Sequence, residues 1–400
     1  MSQPATVLPK SPTFSLPARS YRSGVMTSTS LASDSIAIVL AGGRGERLRP
    51  LTIVRAKPAV PFGGSQRIID FTIANCLRSG VPRIHLLTQY QSASIETHVR
   101  RAWRRLTRVT PRIDVRPADL LRGAEGYRGT ADAVLQNIDI VERTSSRFVL
   151  VLGGDHVYRM DYGELLAFHA RSGAELTIAA TEVALADASR MGVLAVDARW
   201  GIHAFDEKPR EPHPLPGKPD TALASMGIYV FDRGTLLREL RGRRREARES
   251  DFGKDVIPAM VRRGALVQAF PFRDASGRPR YWRDIGTLDS YFAASMDFAE
   301  ARAHANVVAA YRSALRHATV RRSILGSGTV VESGAVIDDA VLFNSIHVGC
   351  GAHVRRAILD DGVQVAAGAS VGLDLDKERK RFTVTDGGVV VVPGGAVIQA

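Results

Sequence analysis

Apolar residues along the chain fall into distinct patterns. Short runs occur at 36–41, 84–87 (interrupted only by His85) and 148–152, each stopping at glycine or a polar residue. Runs of this length without polar alternation predict parallel strands buried on both faces. Helical stretches at 70–79 and 131–143 lie between them. Strands alternating with helices predict an α/β domain on a Rossmann-like, mostly parallel sheet, with ligands gathered at the carboxyl ends of its strands. The glycines after Ala41 and the Gly153-Gly154-Asp155 turn would lie there.

Beyond about residue 318 the spacing changes. Ile324, Val330, Val336, Leu342, Val348 and Val354 recur every six residues, and after a one-residue slip Leu359, Val365 and Val371 resume the count. Small or apolar residues (Gly328, Gly334, Ala340, Ile346, Ala352, Ile358) follow each of the first six by four positions. A sustained hexad predicts a parallel β-helix in which each short face sends one aliphatic inward. The chain then divides into a disordered tail at 1–33, a large domain at 34–300, a linker at 301–318 and the β-helix at 319–400.

Composition narrows the setting. The 400 residues are 45% hydrophobic with a mean hydropathy of −0.05, which fits a soluble protein with a sizeable core. No apolar run reaches the roughly 18 to 20 residues of a membrane span. Cys76 and Cys350, far apart, make neither a disulfide framework nor a zinc site and point to a reducing cytoplasm. The net charge of +13 favours anionic partners. Its arginine clusters at 100–108 and 241–248 lack the motifs of nucleic-acid readers and are read as solvated helix faces. Residues 1–33 hold no acidic residue and are rich in Ser, Thr and Pro, without the apolar core of a secretory signal.

Candidate chemistry begins at Gly42-Gly43-Arg44-Gly45-Glu46-Arg47-Leu48, which follows a predicted strand and is expected to open a helix. Glycines let backbone N–H groups approach phosphate, and a helix N-terminus would add partial positive charge. Leu48 stands where a dinucleotide fingerprint needs its third glycine, and no Gly-Lys-Ser/Thr follows as in a Walker loop. A phosphate loop of another kind and a plain tight turn both remain open on these residues alone.

Residues 40–71 read LAGGRGERLRPLTIVRAKPAVPFGGSQRIIDF, and this resembles the amino-terminal signature of sugar-1-phosphate nucleotidylyltransferases. Segments 75–76, 88–92, 127–133, 154–158, 207–209, 224–229, 251–255 and 281–287 are similar, in order, to the ADP-glucose pyrophosphorylase branch. The resemblance runs from about residue 35 to 300 and implies a left-handed carboxy-terminal β-helix, in keeping with the hexads. It implies Mg²⁺-dependent transfer of AMP from ATP to glucose 1-phosphate, giving ADP-glucose and pyrophosphate for α-glucan synthesis, in a cytoplasmic homotetramer that binds neither nucleic acid nor membrane.

Matching positions supply the site the resemblance implies. Asp155 and Asp284 correspond to the metal-binding aspartates, suited to Mg²⁺ by their hard oxygens. Arg47 and Lys57 correspond to the cations on the triphosphate and departing pyrophosphate, and with Asp155 form the catalytic set. Gly42, Gly43, Gly45, Gln89 and Gly129 are assigned to the nucleotide. Glu207 and Lys208 are assigned to the sugar hydroxyls and phosphate of glucose 1-phosphate, with Tyr127, Gly192 and Ser225 also in that pocket. Asp132 is read as ordering its loop. Val54 stands where related bacterial sequences often carry an effector-region lysine, and the linker is short. Both features predict weak activation by fructose 1,6-bisphosphate. The rival readings are a nucleotidylyltransferase for another base or sugar, and a non-catalytic subunit of the same architecture. The second would be expected to lack Asp155, Lys208 or Asp284.

Overall fold

The computed structural model describes residues 28–104, 111–118, 126–243, 250–304 and 317–400. Most of the tail, the far ends of both arginine clusters and most of the linker lie outside the described residues. The chain forms two compact units: one takes 28–43 and 71–282, the other 44–70 and 283–400.

The first unit is built on a nine-stranded sheet. In chain order its strands are β1 (Ser35–Ala41), β2 (Arg83–Thr88), β3 (Arg112–Pro117), β4 (Phe148–Gly153), β5 (Leu176–Ala184), β6 (Gly192–Val196), β7 (Ile202–Glu207), β8 (Thr221–Asp232) and β9 (Val267–Pro271). They lie in the order β7-β6-β8-β4-β1-β2-β3, with β5 also on β8 and β9 on β5. The short apolar runs become β1, β2 and β4, which pair in parallel around β1. Beyond β4 the sheet turns antiparallel, through β8 on β4 and β5. Ile36, Ile38, Val149, Val151, Ile178 and Phe231 share one buried core.

Local chemistry moves some boundaries. The 131–143 stretch is two short helices, Thr130–Gln136 and Asp139–Arg143. Asn137 separates them: its side-chain amide donates to Ala133 O at 3.0 Å and to the Tyr127 hydroxyl at 3.0 Å, the kind of side-chain bond that competes with helix continuation. The last residues of the expected tail are ordered, since Ser28–Ser33 is a helix with Leu31 and Ala32 buried. The described ends of the arginine clusters are paired: Arg100 meets Glu96 at 2.6 Å and Arg241 meets Glu142 at 2.7 Å.

The second unit contains the β-helix. Ser327 N donates to Asn344, and Asn344 N to Asp361, each 17 residues further on, so one coil takes 17 residues rather than three full hexads. The core is lined by Leu325, Ile337, Leu342, Val348, Val354 and Leu359. The first inward positions are therefore one residue later than the hexad count puts them. Val336 is only half-buried, whereas its neighbour Ile337 is fully buried. Ile324 belongs instead to a second ladder, Ile324–Val341–Ile358–Val391, paired strand to strand and buried outside the coil core. Each coil has one five-residue step, as from Ile337 to Leu342, and doublets such as Ile358-Leu359 hide which member points in.

Candidate active site

The expected helix after the glycine loop is a single 3-10 turn, Glu46–Leu48. Pro50 explains this, because the residue before a proline is driven out of the helical region, and Arg49 is extended with ψ 140°. A phosphate at this loop would meet backbone N–H groups and the Arg47 side chain, without a helix macrodipole.

In the second unit the residues around Gly45 converge. Gly45 has φ +64°, and a Cβ added there would stand 2.9 Å from Lys57 Cβ. Thr52 Oγ1 donates to Gly45 O at 2.8 Å, closing the intervening segment. Lys57 opens the 3-10 turn Lys57–Ala59 and is buried; its Nζ lies 3.6 Å from Asp284 Oδ1. Asp284 keeps a third of its side chain exposed. A Cβ on Gly286 would meet both Asp284 Oδ2, at 3.2 Å, and Arg47 Nη2, at 3.6 Å. The unit thus gathers Gly45, Arg47, Lys57 and Asp284 into one charged cluster. Thr52 and Gly286 are its parts that sequence reading passed over, although both stand within the quoted motifs.

In the first unit the ends of β1 and β4 are knit together. Gly154 N donates to Leu40 O at 3.0 Å, and a Cβ on Gly154 would crowd Val39 Cγ1 at 3.0 Å. Asp155 follows directly, about a third exposed, with its Oδ1 3.4 Å from His156 Nε2. Beside the end of β1, Gln89 Oε1 accepts from Tyr127 N at 3.1 Å. A Cβ added to Gly42 would lie 3.7 Å from both Gln89 Oε1 and the Tyr127 ring. With its carbonyl so engaged, Gln89 presents its amide nitrogen as a donor. Tyr127 packs on the sheet core, its hydroxyl accepts from Asn137, and burial pushes its pKa up.

A second group forms around Glu207, at the end of β7. A Cβ on Gly192 would lie 3.1 Å from Glu207 Oε2, and one on Gly253 would lie 2.6 Å from the same atom. Two glycines therefore make room for one carboxylate. Gly253 was visible only as part of a resemblance, without a role. Lys208 Nζ is 3.2 Å from Glu207 Oε1 and largely exposed, and Lys208 has φ +53° with its N–H on Met191 O. Ser225 opens a bulge in β8, where the pairing with β5 skips from Ser225 to Tyr229 and Gly227 takes φ +65°.

Gly129 has a structural reason to be glycine. Its φ is +142°, and a Cβ would fall 2.2 Å from Ser250 O. That carbonyl also accepts from Ala131 N and Asp132 N. Asp132 accepts from Arg128 N at 2.8 Å and from Gln136 at 2.7 Å, so it does order its loop.

Residues 36–301 match the family model for nucleotidyl transferases, and 292–392 match the GlmU-like C-terminal hexapeptide model. Fold and loop chemistry therefore define a nucleotidyl transferase domain followed by a hexapeptide β-helix of the left-handed type. Three curated relatives are named glucose-1-phosphate adenylyltransferase. That of Thiobacillus denitrificans is 41% identical, covering 91% of each chain. Enzyme 2 of Alkalilimnicola ehrlichii is 40% identical over 90% of this chain and 94% of its own. The Nitrosomonas europaea protein is 41% identical over 91% and 93%. The chain belongs to the glucose-1-phosphate adenylyltransferase family. Among the described residues, no helix is long and apolar enough to cross a membrane.

Proposed function

We propose that the protein makes ADP-glucose, using Mg²⁺, ATP and glucose 1-phosphate, through the residues described above. An oxygen of the sugar phosphate attacks the α-phosphorus of ATP. The bond from that phosphorus to the bridging oxygen breaks, and pyrophosphate leaves. Such a transfer asks for charge neutralisation and alignment more than for covalent help. Arg47 and Lys57 hold the triphosphate and then the pyrophosphate by charge-assisted hydrogen bonds. Gly42, Gly43 and Gly45 let the chain approach the phosphates, Gln89 donates to the adenine, and Gly129 keeps the neighbouring turn in place. Glu207 accepts from sugar hydroxyls and Lys208 neutralises the sugar phosphate, with Gly192, Ser225 and Tyr127 shaping that pocket.

Asp155 of the first unit and Asp284 of the second are each suited by chemistry to hold Mg²⁺. Both are carboxylates about a third exposed, which leaves room for the water and phosphate oxygens that Mg²⁺ keeps. When bound, the ion would offset charge on the phosphates. The reading also takes 34–300 as the catalytic region, 319–400 as the β-helix, a homotetramer as the assembly and the cytoplasm as its place.

The observation that carries the proposal is the meeting of Arg47, Lys57 and Asp284 beside Gly45, which puts two cations and a carboxylate at a loop made to admit phosphate. Pyrophosphate release with glucose 1-phosphate, Mg²⁺ and each of ATP, GTP, UTP and dTTP tests it. Preference for ATP, abolished by chelation, is expected. Equal rates with UTP or dTTP would place the chain with a different nucleotide.

A further inference from the structure

The segment just before Lys57 is tied to the β-helix of its own unit. Two residues before it, Arg55 is buried, with its guanidinium divided between consecutive carboxylates. Nη1 lies 2.7 Å from Asp360 Oδ1 and Nη2 2.9 Å from Asp361 Oδ2. These acids directly follow the β-helix strand His353–Leu359. They are themselves oriented: Asp361 accepts from Asn344 N and Nδ2, both at 2.9 Å, and Asp360 Oδ1 accepts from Asp361 N at 2.7 Å. Burial pushes the Asp360 carboxyl up, and the Arg55 charge opposes that shift. The guanidinium also donates to Leu51 O at 3.3 Å and lies 5.7 Å from the Phe343 ring centroid.

A second pin stands on the far side of Lys57. The buried Tyr291 hydroxyl donates to Pro61 O at 2.6 Å, and its ring meets Phe62 edge-on at 5.8 Å. Between the pins lie residues 56–60, which include the short Lys57–Ala59 turn. A buried ion pair adds little net stability when weighed against an apolar replacement. A guanidinium shared by two fixed carboxylates does confer geometry, since its planar fork meets both only in one placement.

We propose that Arg55 is a positioning residue for the adenylyl transfer, and that Asp360 and Asp361 of the β-helix set, through it, the location of the Lys57 ammonium. The proposal rests on the reading that Lys57 touches the ATP phosphates. It assigns the β-helix a direct part in catalytic geometry that chain order does not suggest.

The test uses the full-length protein and the variants Arg55→Met, Arg55→Lys, Asp361→Asn and Lys57→Met. Rates of pyrophosphate release are measured at saturating substrates, together with KM for each substrate, melting temperature and the rate at which an amine reagent labels Lys57. Arg55→Met is expected to lower kcat about 100-fold, the scale of an ångström's misplacement. KM for glucose 1-phosphate should stay within about twofold, and Lys57 should label faster. Arg55→Lys should recover only part of kcat, because an ammonium cannot span both acids. Should Arg55→Met fail to fold, Asp361→Asn, which removes one arm at a partly exposed acid, carries the test through a several-fold fall in kcat and faster Lys57 labelling. A folded Arg55→Met, or Asp361→Asn in its place, with kcat within twofold and unchanged labelling overturns the proposal. Full activity in Lys57→Met would instead overturn the assignment of Lys57 to the phosphates, and the positioning role with it.

Discussion

Substituting Gly45 and Gly43 separates what the fold needs from what a phosphate needs. At Gly45 an alanine must adopt φ +64°, which costs a residue with a side chain about 1 to 2 kcal/mol. Its methyl would sit 2.9 Å from Lys57 Cβ and 3.1 Å from Thr52 Cγ2, where ordinary contact begins at 3.4 Å. Relieving that overlap adds about 1 to 3 kcal/mol, on the scale of other overpacked sites. Gly45→Ala should therefore destabilise its unit by about 2 to 5 kcal/mol, and the relief moves Lys57 or breaks the bond from Thr52 to Gly45. Either displacement should lower kcat/KM for ATP by about 10- to 100-fold. At Gly43 a Cβ meets nothing within 4 Å, and φ is not in the left-handed region. Gly43→Ala should leave the melting temperature unchanged and raise KM for ATP about tenfold, equivalent to roughly 1.4 kcal/mol. Initial-rate kinetics and thermal denaturation of both variants decide the matter. A Gly43→Ala enzyme with an unaltered KM would remove that residue from the phosphate loop. A Gly45→Ala protein as stable and active as the parent would refute the packing argument.

Gly192→Ala should push on Phe205 and Glu207, raising KM for glucose 1-phosphate several-fold with KM for ATP little changed; equal effects on both substrates would show that Glu207 does not serve the sugar. Asp155→Asn should lower kcat about 10²- to 10³-fold, the usual scale for losing one preorganised electrostatic group, and an undiminished rate at saturating Mg²⁺ would take Asp155 out of the site. His169 is buried, bonded through Nδ1 to Thr177 Oγ1 at 2.8 Å, and burial lowers its pKa to about 4. The unfolded chain binds its proton near pH 6.5 and the native state only near 4, so this stability is present above about pH 6.5 and falls as pH drops through that window. His169→Gln should reduce the loss measured by denaturant titration between pH 7.5 and 5 by about 2 kcal/mol, and an identical pH dependence in both proteins would count against the buried neutral imidazole. Fructose 1,6-bisphosphate should activate weakly, because the exposed Val54 offers it no cation; strong saturable activation would contradict this.

Much of the fold was legible because burial on both faces leaves an unmistakable mark. The runs that became β1, β2 and β4 carry almost no polar residue, so the pattern admitted few other readings. The β-helix was legible in kind and misread in register, for a physical reason. One of its faces is covered inside and out, so both members of Ile324-Leu325 and Ile358-Leu359 are buried, and periodicity cannot tell the core ladder from the outer one. The helix expected after Gly45 failed on Pro50, whose local restriction outweighed the analogy with other phosphate loops. Among site residues, those adjacent in sequence to a motif were within reach. Arg55 stands inside the quoted 40–71 segment, but its pairing with Asp360 and Asp361 was out of reach, because an ion pair spanning some 300 positions leaves no periodic or spacing signal.

The segment between Gly45 and Phe62 divides its labour by residue type. Phe62 is buried against Tyr291 and Phe298, and removing that apolar surface from water is what favours docking of the segment. Such burial is tolerant of direction, since a hydrophobic contact constrains distance more than orientation. Lys57 needs orientation as well, because an ammonium displaced by an ångström no longer meets the same phosphate oxygen. Directional bonds on both sides of it, from Arg55 to two acids and from Tyr291 to the Pro61 carbonyl, supply that constraint. Apolar anchoring alone would keep the segment attached while leaving the cation free to shift.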